Sequence, residues 1–185
     1  MGKKTHFSFK SNIKSTVLAS LFAAVIIVCA LVTVPAPIPF TLQTLGVFCA
    51  LAVLGGKHGT LSVIIYIFTG IIGLPVFSGF TGGVGHILGP TGGYIIGFIF
   101  TSLFYWLITR SFGEKTIIKA LALTGGTVIY YLFGSVWYCA VYLKDFSPAG
   151  FLTSVSLCVI PFIIPDILKL CLALFIDHKL PKNIK

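Results

Sequence analysis

Six apolar runs, separated by short clusters of Lys, Gly and Pro, set the rhythm of this chain. They cover about 15–34, 41–54, 59–72, 92–108, 120–142 and a last run ending near 176, and each reads as a helix. The breaks between them have identifiable chemistry. Pro35-Ala-Pro-Ile-Pro39 forces an extended path and ends the first helix. Gly55-Gly56 closes the second helix, with Lys57 and His58 at the tip. Ser147 to Val159 reads as a short amphipathic or re-entrant segment, and Pro161 and Pro165 then introduce the final helix, which places Asp166 near its N-terminus.

Composition turns this pattern into a class. The chain is 57% hydrophobic and 9% charged, with a mean hydropathy of +1.06, whereas charged residues make up about a quarter of a soluble domain. The expectation is an all-α integral membrane protein forming one domain over residues 1–185. The first run is longer than a signal-peptide core and is read as a retained helix.

The net charge of +9 gives the orientation. Of the 13 basic residues, eleven fall on one side: Lys3, Lys4, Lys10 and Lys14, then Lys57, Arg110, Lys115 and Lys119, then Lys179, Lys182 and Lys185. Lys144 alone falls in a loop on the other side. The positive-inside rule then gives six transmembrane helices with both termini cytoplasmic, so the charge reports topology and not a nucleic-acid partner. Cys29, Cys49, Cys139, Cys158 and Cys171 sit in apolar surroundings without C-x-x-C spacing and read as free thiols.

On the outer side, between helices three and four, runs an uncharged stretch from Gly73 to Gly93 that is rich in Gly and Pro. Irregular backbone at a membrane needs burial in protein or a cavity to line, so this stretch reads as the wall or lid of a pocket, shaped by Gly73, Pro75, Gly89, Gly92 and Gly93. His86 within it has no ligand partner at metal spacing, and no metal or cofactor set is indicated. The glycine spacing fits no dinucleotide turn, Gly56-Lys57 is no phosphate loop, and no catalytic constellation is present. The chain reads as a binding protein that cannot itself power uphill transport.

Lys169 is the one basic residue that no tip claims. Three residues after Asp166, it shares a helical face inside an otherwise uncharged run. Ionisable groups inside a membrane mark functional sites by default, and the alternative is a structural ion pair that pins helices together. Burial disfavours either charge alone, so each needs the other or a ligand. Lining a pocket, Lys169 would donate to a carboxylate, while Asp166 would accept N–H groups from an amide or urea. Phe77, Phe80, Tyr94 and Phe162 are the candidate apolar walls, and Thr41, Gln43 and Thr44 could add hydrogen bonds or merely cap a helix. Ala19 and Ala23 put small residues one turn apart on the first helix, a face suited to close helix packing.

Four ordered motifs, Pro39-Phe-Thr-Leu-Gln-Thr-Leu-Gly46, Gly73-Leu-Pro-Val-Phe77, Gly89-Pro-Thr-Gly-Gly-Tyr94 and Pro161-Phe-Ile-Ile-Pro-Asp-Ile-Leu-Lys169, resemble the BioY family. These are the biotin-specific substrate-binding (S) components of energy-coupling-factor (ECF) transporters. The resemblance spans most of the chain. It implies a prokaryotic plasma-membrane protein of six helices with an outer biotin site covered by the loops after helices one and three. It also implies no catalysis, a transmembrane coupling protein (the T component) and two cytoplasmic ATPases as partners. It places Asp166 and Lys169 on the ligand-contacting last-helix motif and Ala19 and Ala23 on the surface that docks the coupling protein. The sequence departs from the family at Ser78-Gly79-Phe80, where many members carry an Asn-containing segment; if that amide helps hold the ureido ring, Ser78 is a weaker substitute. Two other classes remain, a self-sufficient secondary transporter of a small carboxylate or vitamin, and a structural subunit without ligand.

Overall fold

The computed structural model describes residues 4–34 and 39–180, with side chains from residue 13 onward. Apolar runs become helices throughout, because only a helix satisfies its own backbone in lipid. In order these are α1 (Lys4–Leu31), α2 (Gln43–Ile71), the short α3 (Val84–Ile87), α4 (Gly92–Phe112), α5 (Thr116–Tyr138), α6 (Pro148–Cys158) and α7 (Ile160–Lys179). Among the described residues, four segments are long and apolar enough to cross a membrane: Ile13–Leu31, Gln43–Ile71, Gly92–Phe112 and Thr116–Leu143. The α6–α7 pair, bent by 45°, makes a fifth when taken as one span.

Several boundaries differ from the sequence expectation. Helix α1 ends at Leu31, not near 34, because Thr33–Val34 (β1) pairs antiparallel with Phe40–Thr41 (β2), in register Thr33 with Thr41 and Val34 with Phe40. Most of the proline loop between them, 35–38, lies outside the described residues, as do Lys3, Lys182 and Lys185. The expected second and third helices are the two arms of α2, broken at Gly55, whose φ of 74° and ψ of 175° are not helical. Glycine is required there, since a side chain is strained at positive φ. The chain reverses at this break: a methyl group added at Gly59 would stand 2.8 Å from the Ala50 carbonyl oxygen and from Leu51 Cα.

Helix α7 begins at Ile160, so Asp166 lies well inside it, with Pro165 as an interior proline. Its charge is therefore held by side chains and not by the helix end. Before α6, the Asp145 carboxylate accepts from the Ser147 N–H (2.8 Å) and hydroxyl (2.9 Å), which hold it below the usual carboxylate range.

The small-residue face of α1 is turned inward. Ala19 and Ala23 are buried together with Ile26 and Ala30, and Gly46 of α2 lies so close that a Cβ there would meet Ile26 Cα at 2.9 Å. This corrects the expectation of a docking surface at Ala19 and Ala23, because α2 already occupies the close approach that the small residues permit.

A second correction concerns Lys119, assigned by charge pattern to the inner side, and involves Asp177 of α7. Helix α5 starts at Thr116 and α7 runs to Lys179, so both residues are helical and buried. Lys119 Nζ donates to Asp177 Oδ2 at 3.0 Å and to the Ala52 carbonyl at 2.7 Å. That carbonyl belongs to the last turn before Gly55, where helical acceptors lose their N–H partners. Lys119→Met removes a cation from beside a buried carboxylate and is expected to destabilise the fold by about 3–5 kcal/mol. Removing both charges in Lys119→Met/Asp177→Leu should recover most of this, read as melting temperature in detergent. A double variant no more stable than the single one would show that the pair is not the origin.

Candidate functional site

The site is built around one carboxylate. Asp166 Oδ1 accepts from Lys169 Nζ (2.7 Å) and Thr44 Oγ1 (3.0 Å), and Oδ2 accepts from the hydroxyls of Tyr130 and Tyr131, the latter at 2.7 Å. Four donors fill the roughly four lone-pair positions of a carboxylate. The ring draws on Thr44 of α2, Tyr130 and Tyr131 of α5, and Asp166 and Lys169 of α7, so it joins three helices that are distant in sequence.

Lys169 is equally occupied. Its three hydrogens go to Asp166, to Thr44 Oγ1 (2.9 Å) and to the Thr41 carbonyl (2.9 Å), and Phe40 lies under the ammonium with its ring centroid at 4.4 Å. No ammonium hydrogen is left for a ligand carboxylate. Within this network Lys169 joins Asp166, Thr44 and the β2 backbone.

Beside this network lies a cavity of about 590 Å³, counting the open space at its mouth. Of the residues expected from sequence, Asp166, Lys169, Gln43, Thr41, Ser78, Tyr94 and Phe162 line it, and Thr44 lines it too. Residues that sequence reasoning did not single out complete the wall, chiefly Thr91, Ile95, Phe98, Tyr130 and Tyr131. Gln43 is buried, and its side-chain NH2 has no partner among the described residues. An unpaired buried donor is costly, so this amide is the group most ready to receive an acceptor atom of a ligand.

Two expected walls are elsewhere. Phe77 is fully buried inside the Gly73–Gly93 loop, edge-on to Tyr66 at 5.6 Å and stacked on His86 at 5.0 Å. Its ring fills the space over Gly70, where a Cβ would stand 2.0 Å from Phe77 Cζ. Phe80 is at the loop tip, 68% exposed. Phe77 therefore anchors the loop instead of lining the pocket.

The other lid residues hold the loop's shape. Gly73 takes a φ of 110°, Pro75 precedes Val76 within the first turn, and the Gly89 carbonyl accepts from Trp137 Nε1 of α5 at 3.0 Å. Gly92 and Gly93 open α4, where Gly93 packs against Trp137. His86 bonds the Thr81 hydroxyl at 2.9 Å, and burial lowers its pKa, which favours the neutral ring. Among the described residues, no group of His, Cys, Asp and Glu could hold a metal, and all five cysteines are free.

A helical membrane protein with a half-polar cavity at one end of its bundle, roofed by a glycine-rich loop, has the architecture of a substrate-binding subunit. Its backbone is similar to the crystal structure at 2.1 Å of the S-component for biotin from an ECF-type ABC transporter, with a TM-score of 0.80, 25% identity and 92% of each chain covered. The BioY family model matches residues 2–185, and the chain belongs to the BioY family. It is 40% identical to the probable biotin transporter BioY of Pyrococcus horikoshii, covering 92% of this chain and 98% of that one. To the biotin transporter BioY of Thermotoga maritima it is 36% identical, over 91% and 96%.

The anchoring role of Phe77 is testable. Phe77→Ala removes a fully packed aromatic and is expected to cost about 3–5 kcal/mol, with faster protease cleavage within residues 73–91. Phe80→Ala should leave both unchanged. Equal responses of the two variants would deny Phe77 that role.

Proposed function

We propose that this protein is the biotin-binding membrane subunit of an ECF-type vitamin uptake transporter. The observation that carries the reading is the cavity itself, in which a charged, fully hydrogen-bonded carboxylate and an unpartnered amide face aromatic walls. Biotin has matching parts: a ureido head with two N–H donors and a carbonyl, an apolar bicycle, and an acidic tail. Asp166 accepts a ureido N–H, Gln43 donates to an acceptor oxygen of the ligand, and Tyr94, Phe98 and Phe162 enclose the bicycle. Ser78 and Thr91 contribute hydroxyls from the loop side, with the loop as lid.

The subunit is a binding protein and not an enzyme. Lacking a nucleotide-binding motif, it would depend on a transmembrane coupling protein and two cytoplasmic ATPases for delivery. Its six spans would arise because Gly55 divides α2 into two antiparallel arms, with α6 and α7 completing the bundle. Both termini are then cytoplasmic, in agreement with the lysine distribution. A secondary transporter would need ion-coupling groups, and its uptake would persist without the ATPases and be abolished by an uncoupler.

Titration calorimetry of the detergent-purified protein with biotin, with native mass spectrometry of retained ligand, tests this directly. One-to-one binding is expected, weakened about 10- to 100-fold by Asp166→Asn, the range for a hydrogen bond to a charged group. Ligand-free, folded protein that takes up no biotin would refute the assignment. Because Lys169 has no free hydrogen, Lys169→Met should weaken biotin and biotin amide by the same factor. A selective loss for the acid would put the ammonium on the ligand carboxylate.

A further inference from the structure

The hydrogen-bond shell of Asp166 is already complete, so a ligand N–H can reach the carboxylate only by replacing a donor that is there. We infer that Tyr131 is this donor: its hydroxyl gives up Asp166 Oδ2 to the ligand and moves into a groove on the far side of its ring. This rests on the proposed function, in which Asp166 receives an N–H of biotin.

The four donors are not equally free to leave. Lys169 is the counter-charge and is held by two further acceptors, and Thr44 bonds both Lys169 and Asp166. Tyr130 is buried, with its ring edge-on to Phe98 at 5.3 Å and to Tyr131 at 4.6 Å, and it borders the ligand cavity but not the groove beyond. Tyr131 differs. It is only part-buried, and it lines two spaces at once: the ligand cavity, and a second groove of about 610 Å³, open space included, between α5 and α7.

That groove is bordered by Thr124, Thr127, Val128, Ile163 and Ile167. Val128 and Ile167 are more than half exposed, so nothing in the fold closes it from outside. It offers an apolar surface for the ring and two threonine hydroxyls for the phenol, which matters because a tyrosine hydroxyl needs a partner wherever it goes. Asp166 also lines this groove, so a small displacement of the Tyr131 hydroxyl is enough to vacate Oδ2. Tyr131 is thus a positioning residue whose hydroxyl competes with the ligand for one oxygen.

The competition has a counterintuitive signature. Tyr131→Phe keeps the ring and removes the competing hydroxyl, so the empty protein carries a carboxylate oxygen one donor short, and the ligand supplies that donor. Calorimetry on the full chain should show biotin binding about fivefold tighter than wild type, the net worth of one hydrogen bond. Melting in detergent should fall for ligand-free Tyr131→Phe and return to the wild-type value at saturating biotin. Tyr130→Phe, whose hydroxyl stays on Asp166 in both states, should melt lower with and without biotin and bind no tighter. Tyr131→Phe binding at wild-type strength or weaker would overturn the inference, as would identical behaviour of the two variants. A wild-type protein that binds no biotin would overturn the proposed function and this inference with it.

Discussion

A single carboxylate inside a membrane protein must be fully compensated, and most of the architecture around the cavity follows from that requirement. A buried charge with no partners is far too costly to retain. Here it is met by an ammonium, one threonine and two tyrosines drawn from α2, α5 and α7. Each donor fixes the rotation of its helix. The cavity wall is therefore a by-product of solvation: the groups that keep Asp166 charged also set the distances between the helices.

The same three elements are fastened a second time. At the other end of the bundle Lys119 of α5 bonds Asp177 of α7 and the Ala52 carbonyl of α2. Lys119 and Tyr130 of α5, and Asp166 and Asp177 of α7, are each eleven residues apart, close to three helical turns. Both fastenings thus use the same face of α5 and the same face of α7. In each, a lysine reaches a backbone carbonyl flanking the first arm of α2: Thr41 of β2 just before it, and Ala52 in its last turn, where helical acceptors lose their N–H partners. Two clamps about 16 Å apart resist tilting of α7 better than one, and they leave the apolar residues between them to packing.

What the sequence disclosed and what it concealed divide along physical lines. Membrane class, the helix runs, the glycine-rich loop and the Asp166–Lys169 face all leave strong local signals, because charge and helix breakers are rare within apolar runs. Tyr130 and Tyr131 leave none, since tyrosine is ordinary in membrane helices and only the fold shows which hydroxyls meet a carboxylate. Lys119 was misplaced because it stands near a helix end, where a shift of one turn separates a solvated loop charge from a buried ion pair, here with Asp177. Phe77 and Phe80 looked alike as aromatics of one loop. The loop's backbone sends one under Gly70 and the other, at a φ of 57°, to the surface.

The closed network also bears on how a ligand leaves. If Asp166 and Lys169 were satisfied only with ligand bound, emptying the site would strand two buried charges, and release would be opposed by several kcal/mol. Instead the protein itself pairs both charges, while the buried Gln43 Nε2 of the cavity wall has no partner among the described residues. On the proposed reading, affinity would come from apolar enclosure, from that amide and from the inferred exchange at Oδ2, while the charges contribute shape and polarity without demanding occupancy. A protein that must hold a scarce molecule and then surrender it needs this balance, because the free energy of capture is also the free energy that its partners must overcome at delivery.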